Sequence, residues 1–385
     1  MIVYLDHNAT TPVRPEVVDA MLPFLGEFYG NPNSAHGSGQ AARKVVEDAR
    51  EKVAALIGAA DASEIVFTSC GSESDAAAVI GGAEAVRRGS GGRRNRVVTS
   101  VVEHGAVEGS VRELAARGFE AVFAAVDQNA VVDAAQVERA IAPETALVSI
   151  MAANNEIGSL QPIGAIAAAC RARGVLFHTD AVQAVGKIPI DVRALGVDLL
   201  ALSGHKINAP KGVGALYIRK GVRLVPLIPG KQELNRRGGT ENAASIVALG
   251  VAAELAMKDM SAHGERLRRL RDRLERRVLA LPDARLTGNP AERLPGTSHL
   301  CFRGVDGHRL VVGLDLEDVC VSSGPACHSG AAELSPVLKA MGVADEWGRG
   351  ALRVSLGWGS TEADVDRFAA VLERLLPRLR ESVSS

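Results

Sequence analysis

DLLALSGHKINAPKG, residues 198–212, runs from an apolar stretch into a polar turn and then into a Pro-Lys-Gly turn. An unbroken apolar run such as LLAL reads as a strand buried on both faces, the pattern of a parallel sheet covered by helices. Ser203, Gly204 and His205 form the turn, and Lys206 follows at the strand's carboxyl end. A lysine in a loop is ordinarily a solvated charge. One fixed between Ser and His at the end of a buried strand is instead a candidate reactive amine, partly desolvated and able to form an imine. Pyridoxal phosphate (PLP) is held by enzymes in this way.

The same pattern recurs along the chain. EIVFTS (64–69), RVVTSV (96–101), EAVFAAV (120–126), ALVSIM (146–151), VLFHTD (175–180) and GALYI (214–218) read as strands. Helical stretches such as AARKVVEDAREKVAALIG and IGAIAAACRARG lie between them. The alternation predicts an α/β fold with a large, mostly parallel, seven-stranded sheet, whose ligands gather at the strand carboxyl ends. A boundary is expected near residue 255. Beyond it, Leu267, Leu270, Leu274, Val278 and Leu281 recur at helical spacing among arginines, as in an amphipathic linking helix. The remainder reads as a smaller α+β unit. RRGSGGRRNR (87–96) reads as a surface loop.

The polar motifs fall at the predicted strand ends. In HTDAVQAVGK, Asp180 either caps the next helix or pairs with a protonated pyridine nitrogen, and Gln183 lies three residues on. TSCGSES brings Gly71, for a tight turn, and Ser72 to a helix start, where a hydroxyl and backbone amides suit a phosphate or merely cap. His104, Asn155 and Thr240 are further polar groups at strand or helix ends. Arg353 alternates inward in ALRVSLGWGST, a costly placement unless it meets a carboxylate, and a substrate carboxylate would serve. Cys327 stands in SSGPACHSG (322–330), a run that suits neither a core nor a helix. The absence of any CxxC argues against zinc, and a loop thiol or a mobile nucleophile remain.

Composition narrows the class. The chain has 385 residues, a net charge of −1 and only 3% aromatic residues, so neither nucleic acid nor an anionic membrane is an expected partner. The N-terminus lacks a signal-peptide pattern, and no apolar run is long enough to span a bilayer. Five scattered cysteines point to a reducing compartment, the cytoplasm, and to free thiols.

Taken together, YLDHNATTP, GNPNSAHGSGQAAR, TSCGSES, EHGAV, NNEIGSLQPI, HTDAVQAVGK, SGHKINAPKG, RRGGTEN, SSGPACHSG and ALRVSLG resemble, in order, the class V aminotransferase family, specifically cysteine desulfurases of the NifS/IscS type. The resemblance implies a homodimeric fold-type I PLP enzyme. Its large domain would be 15–255, and its small domain 1–14 plus 256–385. It implies that Lys206 binds the cofactor and that His104 stacks on the ring and moves protons. Asp180 and Gln183 would contact the pyridine nitrogen and phenolic oxygen. Ser72, Ser203 and His205 would hold the phosphate, with Thr240 reaching in from the partner subunit. Asn155 and Arg353 would bind the substrate amino acid. Cys327 would attack the sulfur of L-cysteine, releasing alanine and keeping a persulfide for an acceptor such as an Fe–S scaffold. The chain departs from the family pattern at Cys70, Ala76, Ala209, Pro229-Gly230 with Lys231, and His328. His328 and Asn235 also resemble selenocysteine lyases, and a class V aminotransferase or β-lyase without persulfide chemistry is a third reading.

Overall fold

The structure is a computed structural model that describes residues 2–323 and 334–381. Twelve strands are present among them: β1 (Val3–Tyr4), β2 (Ile65–Thr68), β3 (Arg96–Ser100), β4 (Glu120–Ala124), β5 (Thr145–Ser149), β6 (Leu176–Asp180), β7 (Leu199–Ser203), β8 (Gly214–Ile218), β9 (Ala284–Leu286), β10 (Thr297–Phe302), β11 (Val319–Cys320) and β12 (Ala351–Ser355). The seven predicted strands are β2 to β8. They form one sheet in the order β2-β8-β7-β6-β5-β3-β4. β7, β6, β5, β3 and β4 pair in parallel, and β8 alone is reversed, antiparallel to both β7 and β2. The carboxyl ends of β2, β3, β5, β6 and β7 therefore share one edge.

Local chemistry explains the elements. β5, β7 and β8 are buried at every residue, because helices cover both faces of the sheet. Arg96 to Ser149 spans two crossovers that return strands in parallel, with the helix Gly105–Ala116 packed between. The helix Ala243–Val278 begins well before the expected boundary and runs through it. Its first half (Ile246, Leu249, Ala253) joins the core around the seven-stranded sheet. Its second half (Leu267, Leu270, Leu274, Val278) joins another core, built with Val3, Leu5, Leu300, Leu352 and Phe368. A single amphipathic helix thus enters two cores, and no break marks the transition.

The second core underlies an antiparallel sheet ordered β12-β10-β9 and the parallel pair β1–β11. The N-terminal segment reaches it through the pairing of Val3 and Tyr4 with Val319 and Cys320 and through a bridge from Asp6 to Ser355. This delivers residues 6–9 to the carboxyl edge of the large sheet. Among the described residues no helix is long and apolar enough to cross a membrane.

Candidate active site

Lys206 closes a single helical turn, Gly204–Lys206, directly after β7. Its Nζ donates to the carbonyls of Asn8 at 2.6 Å and Ala9 at 2.7 Å. Burial, reinforced by the Arg353 charge, pushes the ammonium down to about 8, against the opposing pull of Asp180 and Asp6. The amine is thus much closer to its reactive neutral form at physiological pH than a solvated lysine would be. His205 presents Nδ1 to the Thr10 hydroxyl at 3.1 Å. Burial, with Lys206, Lys211 and Lys187 nearby, pushes its ring down to about 4, so it acts as a neutral imidazole.

Asp180 ends β6 and is 5% exposed. The capping reading has its geometry here: Oδ1 accepts from Val182 N at 2.9 Å. His104 caps the helix Gly105–Ala116 by accepting from Ala106 N at 3.1 Å, with its ring exposed. Ligating atoms of Asp75, His104 and Asp180 lie within 4.8 Å of one another. Asp75 is fully enclosed, and Oδ1 approaches His178 Nε2 at 3.6 Å, a pair without hydrogen-bonding geometry. His178 shares a face of β6 with Asp180, and burial holds its ring down near 3. Burial raises the carboxyls of Asp75 and Asp180, and that of Glu103 to about 8. Glu103 is held by the Ser100 hydroxyl at 2.5 Å and Met151 N at 3.1 Å. This wall of acids has no Lys or Arg ion-paired to it among the described residues. It therefore favours a cation or a protonated ring nitrogen.

The helix start after β2 is built differently from the expectation at one position. Gly71 is not in the left-handed region, so a tight turn does not explain it. Its value is close approach: a Cβ there would meet Val182 Cγ2 at 2.8 Å and Ser203 Cβ at 3.2 Å. Ser203 is buried with its hydroxyl unpartnered, a costly orphan that an anion's oxygen would satisfy. Ser72 is exposed at the first turn of the helix that Gly71 opens. Thr240 is exposed and lines a separate cavity of about 200 Å³ with Thr68, Ser69, Gly212 and Arg237, not with Lys206 or Asp180.

Gln183 is buried, donating from Nε2 to the Asn8 carbonyl at 2.9 Å. Arg353 finds a carboxylate within the chain: Nη2 donates to Asp6 Oδ1 at 2.6 Å, and Nη1 to the Asn155 carbonyl at 3.1 Å. Its Nε is buried and unpartnered, which leaves donors for a ligand. Asn155 thus enters through its backbone. Cys327 and His328 lie outside the described residues. Sequence reasoning gave no role to Asp6, Asn8, Lys187, Glu103 or the fully buried His299, whose backbone pairs with that of Arg353. The polar cluster Asp6-His7-Asn8 directly after an apolar strand was the signal available for the first two.

A mostly parallel seven-stranded sheet with a desolvated lysine, an acid wall and an orphaned hydroxyl at one edge has the fold-type I architecture. The aminotransferase class-V family matches residues 3–368, and the chain belongs to it; members of this family are PLP-dependent. A cysteine desulfurase of Trichormus azollae is 45% identical over 381 residues, covering 98% of this chain and 94% of its own length. A cysteine desulfurase IscS of Dictyoglomus turgidum is 46% identical over 380 residues, covering 98% and 95%. Among solved structures, a NifS-like protein aligns with a TM-score of 0.91 at 38% identity, covering 98% of this chain and all of its own.

Proposed function

We propose that the protein is a PLP-dependent cysteine desulfurase that converts L-cysteine to L-alanine and leaves a persulfide on Cys327. The carrying observation is the conjunction at one sheet edge of a lysine pushed down to about 8, a buried acid without a basic partner, and the unpartnered Ser203 hydroxyl. When bound, PLP supplies an electron sink that stabilises negative charge at the substrate α-carbon.

The residues divide the remaining work. Lys206 holds the cofactor, and Asp180 would keep its ring nitrogen protonated. Gln183 would contact its phenolic oxygen. Gly71, Ser72, Ser203 and His205 take the phosphate, and Thr240 completes the site of a partner subunit in a homodimer. His104, exposed beside Asp180, moves protons. Arg353 and Asn155 orient the substrate carboxylate. The Cys327 thiolate forms an S–S bond to the substrate sulfur as the C–S bond breaks. The electron pair of that bond stays with the carbon fragment, which takes up protons and departs as alanine. The persulfide then serves an acceptor protein, such as an Fe–S scaffold. We place residues 15–255 in a large domain and 1–14 plus 256–385 in a small one, on the strength of the two cores that share the helix Ala243–Val278. Free thiols at Cys70, Cys170, Cys301 and Cys320 support a cytoplasmic setting.

Purified protein with PLP is expected to be yellow and to form alanine and, with a reductant, sulfide from L-cysteine. Cys327→Ser should keep the colour and lose sulfide. Undiminished turnover in that variant would sink the persulfide mechanism, and turnover confined to selenocysteine would shift the assignment to a selenocysteine lyase.

A further inference from the structure

Lys187 ends the segment that supplies Asp180 and Gln183, yet nothing above gives it a task. Its Nζ donates to Gln183 Oε1 at 2.7 Å and to Asn8 Oδ1 at 3.0 Å. Gln183 Nε2 donates in turn to the Asn8 carbonyl at 2.9 Å, and that carbonyl also accepts from Lys206 Nζ at 2.6 Å. Lys187, Gln183 and Asn8 thus close a ring whose last member holds the reactive amine.

The charge in this ring is expensive. Burial pushes the Lys187 ammonium down to about 7, and the charged neighbours acting on it, Lys206 and Arg353, are cations that lower it further. Lys187 also lines a cavity of about 60 Å³ with Lys206, His7, Arg14, Asp259 and His263. Burial pushes His7 and His263 down to about 4, so both are neutral at physiological pH. Arg14 and Asp259 satisfy each other at 2.7 Å. An apolar side chain would fill the place of Lys187 without that desolvation cost. What only a donor can do is choose between the ends of an amide. An ammonium has no acceptor, so it binds Gln183 through Oε1 and turns Nε2 toward Asn8 and the Lys206 side.

We propose that Lys187 is a positioning residue of the cofactor site: it fixes the sense of the Gln183 amide and the place of Asn8, and so sets the surroundings in which Lys206 gains and loses its proton. The inference rests on the PLP reading. Its test follows the visible band of the PLP-loaded protein against pH, without substrate, alongside gel filtration and PLP stoichiometry. Losing a nearby cation and donor makes the proton on the Lys206 nitrogen harder to remove. The midpoint in Lys187→Met is therefore expected to rise by about half a pH unit or more. Lys187→Arg, which also only donates, should return it toward the wild-type value. Combining Lys187→Met with Asn8→Ala should shift the midpoint no further than the larger single change, because both break one ring. A folded, loaded Lys187→Met with the wild-type midpoint overturns the inference, as does full additivity in the double variant. If Lys187→Met does not fold or load, Lys187→Gln decides by the same criterion. A wild-type protein with no band after PLP addition overturns the cofactor reading itself, whereas a normal wild-type band whose midpoint Lys187 does not influence overturns this inference alone.

Discussion

Two buried arginines, Arg50 and Arg353, sit in similar surroundings with each side chain 7% exposed, and they are used in opposite ways. Arg50 has all five N–H groups engaged. It grips Glu233 at 2.6 and 3.1 Å, Glu47 at 3.1 and 3.4 Å, and the Ile65 carbonyl at 2.8 Å. Glu233 also accepts from Phe67 N, and it anchors three consecutive left-handed residues, Glu233, Leu234 and Asn235, which are strained for side chains with a Cβ. Arg353 makes two hydrogen bonds, to Asp6 and the Asn155 carbonyl, and keeps a buried Nε without a partner. A closed set of donors marks an arginine that holds the fold. An open donor, close to the unpartnered groups around Lys206, leaves Arg353 able to take a further acceptor.

The comparison can be broken from the structural side first. Arg50→Met leaves Glu233 buried and unpaired, and should cost about 3–5 kcal/mol in denaturant unfolding. The fraction that stays folded should retain its specific activity. If stability is preserved, the closed arginine is not structural. The next largest effect is expected at the open one. Arg353→Lys keeps a charge beside Asp6 but loses the planar fork, and should lower kcat/KM for L-cysteine by about a hundredfold with little change in melting temperature. An unchanged kcat/KM would remove Arg353 from substrate binding.

A smaller effect tests whether burial alone drives these differences. Glu103 has its carboxyl raised to about 8 by desolvation. Between the ordinary glutamate range and that value the unfolded chain is ionised while the folded chain keeps its proton. Folding stability from this group therefore falls as pH rises toward 8. Glu103→Gln should flatten this part of the stability–pH profile, and a profile parallel to wild type would show that the carboxyl is already ionised in the fold. The smallest effect belongs to a pair with neither burial nor strain. Lys44 and Asp48 meet at 2.7 Å on an exposed helix surface, and Lys44→Ala should leave the melting temperature within error.

The two arginines also show how far the sequence could be read. Arg353 was legible as a ligand candidate, because inward alternation in a strand exposes the problem of its charge. Its first partner was not, since Asp6 lies 347 residues away and no local signal joins them. Arg50 was read only as part of a helix, and its partner Glu233 lies 183 residues on. Gly71 was read as a turn residue, whereas its constraint comes from Val182 and Ser203 on neighbouring segments.

By itself, the sequence determined the seven strands and the polar groups at their carboxyl ends. Apolar runs and turn residues act over windows of a few positions, and helical crossovers leave few ways to order such strands. It also carried Lys206, Asp180, His104 and Cys327 as chemically marked residues in short motifs. Only the tertiary structure decided what surrounds them. The N-terminal segment, pinned by β11 and β12, carries Asp6 and Asn8 to Arg353, Lys187 and Lys206. Desolvation then shifts the lysines and the acid wall toward neutrality, an effect of packing density that no window of sequence contains.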